Sequence, residues 1–260
     1  PRRTGPKSRA AVRPDGSLAP DCSRLNALYA ERSAESILAD ASNGVFGAKA
    51  ALVSSFGAES AGLLHMLSRV SVETPVLFVD TEMLFAETLE YQLELAERFG
   101  LRNVIRVRPE AQETAWEDPI GDLNTYDTDA CCNLRKVRPL ARALRGYDVS
   151  ITGRKRHQSS TREDLSLFES ENGRIKINPL AAWRREDVLN WMDAHALPRH
   201  PLTKRGFPSI GCTPCTTKVR PGEDPRSGRW RGQDKTECGI HFIGGRLVTG
   251  RADPKPLQQG

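Results

Sequence analysis

The sequence predicts an α/β fold: a parallel-rich sheet flanked by helices, with an irregular, cysteine-containing C-terminal segment. Two observations carry this. Between about residue 50 and residue 153, short apolar runs of strand length alternate with longer stretches of helical periodicity, as strands joined by helical crossovers do. Beyond Leu197, Pro and Gly become frequent and periodicity stops, yet three of the six cysteines fall there. At 260 residues and 38% hydrophobic content the chain can build one large core.

In chain order, residues 1–20 hold Arg2, Arg3, Lys7, Arg9 and Arg13 against Asp15, a net of +4. They read as a disordered basic tail rather than a nucleic-acid arm. "SRLNALYAERSAESILADAS" (23–42) reads as one amphipathic helix with Ser23 as its N-cap. "AALVSSF" (50–56) is a strand, "AESAGLLHMLSRV" (58–70) a helix and "TPVLFVDT" (74–81) a second strand. "FAETLEYQLELAERFG" (85–100) is a helix that Gly100 ends. "NVIRVRP" (103–109) is a third strand, and "CNLRKVRPLARALRG" (132–146) is a helix that Pro139 should kink. "YDVSITG" (147–153) is a fourth strand and "REDVLNWMDAHA" (185–196) a further helix.

Charge is unevenly spread. The net is +5, but residues 199–231 alone carry +6, so that zone reads as an ordered anion site. No apolar run approaches the roughly 18 residues of a membrane span, and the basic start lacks the apolar stretch of a secretory signal. A cytoplasmic protein is expected, with no membrane and no nucleic-acid partner; self-association is left open.

Five stretches carry chemistry. "SSFGAES" (54–60) joins the first strand to a helix N-terminus; Ser54, Ser55 and Gly57 allow close approach of phosphate, although an ordinary turn would read the same. "GRKRHQSSTRED" (153–164) follows the fourth strand and carries Arg154, Lys155, Arg156 and Arg162, which suit an anion at the same sheet edge. Cys131 and Cys132 are adjacent, and Cys212 and Cys215 form a CxxC. A disulfide between neighbours would be strained. Four thiolates can bind zinc or an iron–sulfur cluster, and a cubane lets adjacent cysteines reach different irons. Lys136 and Arg135, within a turn of Cys132, would offset the negative charge of such a centre. Cys238 stands alone in "KTECGIH" and by itself reads as a spare surface thiol, although Lys235 and His241 nearby would favour its thiolate.

Together, "SSFGAES", "LFVDTEMLF", "CCNLRKVRPL", "GRKRHQSSTR", "KINPLAAW", "LPRHPLTKRGFPSIGCTPCT", "GEDPRSGRW" and "KTECGIH" resemble the assimilatory adenylyl-sulfate reductase family over about residues 50 to 242. The resemblance implies an ATP-pyrophosphatase-like (adenine nucleotide alpha hydrolase-like) fold. It implies reduction of adenosine 5′-phosphosulfate (APS) to sulfite and AMP, in assimilatory sulfate reduction and cysteine biosynthesis, with thioredoxin as donor. It implies one [4Fe–4S] cluster on Cys131, Cys132, Cys212 and Cys215, and Cys238 as nucleophile. Ser54, Ser55, Gly57, Lys136, Arg162, Arg226, Arg229 and His241 are the expected substrate-binding set. The expected domains are the tail over 1–20, a nucleotide-binding and iron–sulfur reductase domain over 21–230, and a mobile segment over 231–260 carrying the catalytic cysteine. Ser60 departs from the family, where Asp is common. Rivals are a reductase that also accepts the 3′-phosphorylated substrate (PAPS), an ATP-dependent thiolation or nucleotidyl-transfer enzyme, and a zinc-knuckle protein that binds nucleic acid.

Overall fold

The structure, a computed structural model, describes residues 21–159, 162–233, 235 and 237, and the backbone of two short strands at 242–243 and 246–247. The chain starts with α1 (Cys22–Tyr29) and α2 (Ala34–Ser42), where the sequence predicts one helix. Asp21, not Ser23, caps α1 by accepting the Arg24 N–H at 3.1 Å. Ser33 starts α2 by accepting the Ser36 N–H at 3.2 Å. A serine that bonds back to the backbone competes with helix continuation, so the apolar period runs through a break.

The next four predicted elements form as expected, each trimmed by a few residues. They are β1 (Ala50–Ser54), α3 (Ser60–Val70), β2 (Val76–Val79) and α4 (Ala86–Arg98). Gly100 follows α4 at φ +63°, the left-handed position where a side chain would be strained. After β3 (Val104–Val107) come α5 (Ala111–Glu117), α6 (Leu123–Tyr126) and α7 (Thr128–Cys132). A π-helical turn over Asn133–Val137 then leads into α8 (Arg138–Ala143). Pro139 has no N–H to give to a carbonyl four residues back. The widened turn before it is how the chain stays helical while losing that bond.

β4 (Val149–Thr152) is followed by a hairpin that the sequence reading did not include, β5 (Phe168–Glu171) and β6 (Arg174–Ile177). Its turn is Asn172-Gly173, both at positive φ, the signature of a tight two-residue hairpin. α9 (Arg185–Ala194) follows, then short 3₁₀ turns, and β7 (Phe242–Ile243) pairs with β8 (Arg246–Leu247).

Among the described residues, the main sheet has six strands in the order β3-β2-β1-β4-β6-β5. All its pairs are parallel except β5 with β6. Successive residues of β1 face opposite sides: Leu52 joins the core under α1–α4 and α9, while Ala51 packs with Leu77, Val79, Leu140 and Leu144 on the α8 side. The chain leaves β1 toward β2 and returns on the other side as β4. That reversal opens a crevice at the C-terminal ends of β1 and β4. No described helix is long and apolar enough to cross a membrane.

His200 anchors the irregular segment to α4. It is fully buried; its Nδ1 accepts the Leu202 N–H at 3.2 Å, and Nε2 lies 3.0 Å from Thr88 Oγ1. A neutral ring with its proton on Nε2 satisfies both contacts. Burial pushes its pKa down to about 4, against the small upward pull of Glu87. The unfolded chain therefore takes up a proton that the folded chain refuses, and stability falls as pH drops from about 6.5 toward about 4. In urea unfolding, His200→Gln should flatten the pH dependence in this window. Identical slopes for the two proteins would contradict the assignment.

Candidate active site

A cavity of about 520 Å³ lies at the crevice. Ser54, Ser55 and Gly57 line it from the β1–α3 loop, Arg162 from the β4 loop, Lys136 from the π turn, and Arg226 and Arg229 from the C-terminal segment. Seven of the eight predicted substrate residues thus share one cavity. The eighth, His241, lies outside the described residues, as do Cys238 and the tail over 1–20.

The β1–α3 loop is held by a buried residue in an uncommon conformation. Phe56 has φ +50°, is fully buried and packs edge-on against Phe78 with centroids 5.0 Å apart. Ser54 Oγ accepts its N–H at 3.1 Å. Glu59 precedes α3 without capping it through its side chain. Its carboxylate instead meets Lys155 at 2.8 Å, and Lys155 also donates to the Gly153 carbonyl at 3.1 Å. This buried pair ties the β1 loop to the β4 loop across the crevice. Burial pushes Lys155 down against the pull of Glu59; burial would raise Glu59, but Lys155 and Arg185 hold it below the usual carboxylate range.

The expected cluster of cations after β4 is divided. Arg154 is paired with Glu169 and Lys155 with Glu59, while Arg156 donates to the Leu165 carbonyl at 2.9 Å. Arg162 reaches Glu237 at 2.6 Å and also bonds Gln158. Arg229 supplies a different kind of donor. Its guanidinium lies 4.4 Å from the centre of the Trp230 ring, and its buried Nε has no hydrogen-bond partner among the described residues. A buried unpaired donor is costly unless a ligand meets it. Gly211 makes room for this arginine: a Cβ there would lie 2.2 Å from the Arg229 terminal nitrogen.

Beside this cavity is a second, smaller one, lined by Cys131, Cys132, Cys212 and Cys215 with Thr81, Met83, Arg135, Lys136 and Pro214. All four thiols are buried. Lys136 lines both cavities. The two cysteine pairs meet through the loop after β2. Leu84 bridges to Cys212, the Thr213 N–H donates to the Met83 carbonyl at 2.8 Å, and Thr81 Oγ1 lies 3.2 Å from Cys212 Sγ. From the other side, Arg135 donates to the Thr81 carbonyl at 3.2 Å and forks onto Asp118 Oδ2 at 2.8 and 3.1 Å. Burial would raise Asp118, but the Leu123 N–H and Arg135 hold it below the usual range.

Charge crowding sets the thiols apart. Burial, then Cys132 and Cys212, push Cys131 up to about 12. Burial and the same kind of crowding raise Cys215. Cys212 is as deeply buried, yet Lys136, the Thr81 hydroxyl and Arg229 outweigh burial and lower it. Lys235 adds a cation 3.5 Å from Cys132 Sγ. Four buried thiols with cations around them match a donor set for a thiolate-bound metal centre. Among the described residues, no group of three or more His, Cys, Asp or Glu is arranged to hold a single metal ion. A cluster does not require such convergence, because each thiolate can take its own iron.

Thr81, Asp118, Glu59 and Glu237 were not singled out by sequence. Each is an ordinary polar residue whose partner lies far away in the chain.

The sheet, the crevice and the thiol hollow define an adenine nucleotide alpha hydrolase-like domain with an added cysteine centre. Residues 49–218 match the phosphoadenosine phosphosulfate reductase domain. The chain is 48% identical to the adenosine 5′-phosphosulfate reductase of Mesorhizobium japonicum over 88% of its length and 91% of that protein. It is 42% identical to the phosphoadenosine 5′-phosphosulfate reductase of Gloeobacter violaceus over 80% and 88%. Its fold superposes on the phosphoadenylyl-sulfate reductase of Candida auris with a TM-score of 0.63 at 24% identity, over 80% of this chain and 98% of that one. The chain belongs to the phosphoadenosine phosphosulfate reductase family.

The Gly211 contact gives a test. The clashing atom is the end of a flexible side chain, so Gly211→Ala should move Arg229 rather than unfold the protein. Its ligand-free thermal stability should stay within about 0.5 kcal/mol of the parent. The stabilisation conferred by added phosphate should shrink. An undiminished phosphate effect would show that Arg229 does not meet the anion.

Proposed function

We propose that this chain is an oxidoreductase that reduces APS to sulfite and AMP in assimilatory sulfate reduction. The observation that carries the reading is Lys136. It lines the anion cavity and the thiol hollow together, so one buried cation serves a substrate anion on one side and thiolates on the other.

In this reading Cys131, Cys132, Cys212 and Cys215 hold one four-iron cluster. Bound there, the cluster would add negative charge for Lys136 and Arg135 to balance and would organise the site. The reaction itself runs on thiol chemistry. The Cys238 thiolate attacks the sulfonyl sulfur of APS, the S–O bond to AMP breaks, and AMP leaves with the electron pair. A thioredoxin thiolate then attacks Cys238 Sγ and expels sulfite, and its second thiol releases Cys238 as thioredoxin becomes the disulfide. Ser54, Ser55 and Gly57 receive the nucleotide phosphate through backbone N–H groups. Arg162 grips the nucleotide, Arg226, Arg229 and Lys136 hold the phosphate and sulfate oxygens and stabilise the leaving charge, and His241 assists beside Cys238. The buried Nε of Arg229, without a hydrogen-bond partner among the described residues, supports an anion in this place. Thiol exchange of this kind suits a reducing cytoplasm. In this reading the domain over 21–230 holds the nucleotide and the thiol centre, and the segment from 231 carries Cys238.

A second reading, use of PAPS as well, is favoured by the similarity to the Gloeobacter violaceus protein.

Incubated with APS and no donor, the protein should release AMP and gain about 80 Da, one sulfonate, on the peptide holding Cys238. Thioredoxin should remove that mass and liberate sulfite, and Cys238→Ser should gain nothing. Mass appearing on another cysteine, or sulfite production by Cys238→Ser at the parent rate, would overturn the assignment. The same incubation with PAPS decides the second reading.

A further inference from the structure

Two charged residues, Lys235 and Glu237, stand just before Cys238 and are buried at 8% and 3% exposure. Lys235 Nζ donates to Asp129 Oδ1 at 2.6 Å and to the Thr128 carbonyl at 3.2 Å, both at the start of the helix that bears Cys131 and Cys132. It also lies over the Trp230 ring, 5.8 Å from its centre. Glu237 turns to the opposite wall. Its Oε2 accepts from Arg162 at 2.6 Å and its Oε1 from Ser159 Oγ at 2.8 Å, both on the loop after β4. The Thr128 hydroxyl adds a third tie to the same stretch, donating to Gln233 Oε1 at 3.0 Å.

Residues 235 and 237 are only two apart, yet their side chains reach different walls of the site. One side chain is cationic and meets a carboxylate of the cysteine helix; the other is anionic and meets an arginine of the nucleotide cavity. Glu237 itself lines that cavity. Burial would raise its carboxyl, but Arg162 and Arg226 hold it below the ordinary carboxylate range. A carboxylate so placed is a counter-charge among arginines meant for an anionic substrate. It weakens their attraction for that substrate, so its presence calls for another benefit.

We propose that Glu237 is a positioning residue: with Lys235 as a second tether, its ion pair with Arg162 docks the segment that precedes the nucleophile against the nucleotide cavity. The two tethers together reach the β4 loop and the cysteine helix. They therefore fix where the chain stands when it delivers the next residue. This rests on the reading of Cys238 as nucleophile.

The test separates positioning from binding. Glu237→Gln keeps the size of the side chain and removes its charge. In a single turnover with APS and no donor, sulfonation of Cys238 should slow roughly ten- to a hundredfold, as small misplacements of a reacting group do. Affinity for AMP, measured by calorimetry, should be unchanged or higher, because Arg162 loses a competing anion. Trypsin should cut after Arg231 and Lys235 faster than in the parent. Glu237→Asp should restore part of the sulfonation rate. Ser159→Ala, which removes the other hydrogen bond to Glu237, should shift all three readings in the same direction by less, and it carries the test if Glu237→Gln does not fold. Sulfonation of the variants at the parent rate overturns the proposal. So does a loss of AMP affinity in step with the rate, which would make Glu237 part of the binding site rather than a tether. If the parent protein itself gains no sulfonate on Cys238, the functional reading fails instead.

Discussion

Buried thiols that crowd together need buried cations, and the rest of the site follows from that pairing. Cys131 and Cys215 are pushed toward the neutral form by burial and by neighbouring thiols, whereas Lys136, the Thr81 hydroxyl and Arg229 draw Cys212 the other way. Lys136 is the shared element. It is 8% exposed and belongs to the walls of both cavities. A cation in that place couples what happens to an anion on one side with the charge of the thiols on the other. Arg135 also lines the thiol hollow and pulls Cys131 downward, while Asp118 holds its guanidinium in a forked pair.

The fold supplies the remaining constraints. The strand order reverses at β1, so the β1 and β4 loops open into one crevice, and the Glu59–Lys155 pair fixes their spacing. Pro139 and the π turn before it widen the helix where Arg135 and Lys136 are buried. Such turns recur at functional sites because they re-aim side chains without ending the helix. The loop after β2 then joins the two cysteine pairs, which lie about 80 residues apart in the chain.

Much of this was legible in the sequence. The four parallel strands and their crossover helices follow from apolar runs and periodicity, and the adjacent cysteines with the CxxC announce a thiol centre. Three features were misread or missed for physical reasons. The break between α1 and α2 is made by a serine cap inside a continuous apolar period. The β5–β6 hairpin could have been found from its Asn-Gly turn and from the alternation of Arg174, Ile175, Lys176 and Ile177, but β5 hides because Glu169, Ser170 and Glu171 follow Phe168 without alternation. The cations after β4 looked like one anion clamp, whereas Arg154 and Lys155 are held by Glu169 and Glu59 from distant segments. Pairings of this kind depend on tertiary contacts that no local pattern encodes.

The most direct test of the account is the metal content of the purified protein, because the thiol hollow and its cations were read as the seat of a four-iron cluster. Protein isolated without oxygen should be brown and contain about four iron and four acid-labile sulfide per chain. Cys132→Ser should lose both. A colourless protein carrying a single zinc, or a Cys132→Ser protein with full iron and sulfide, would contradict the assignment.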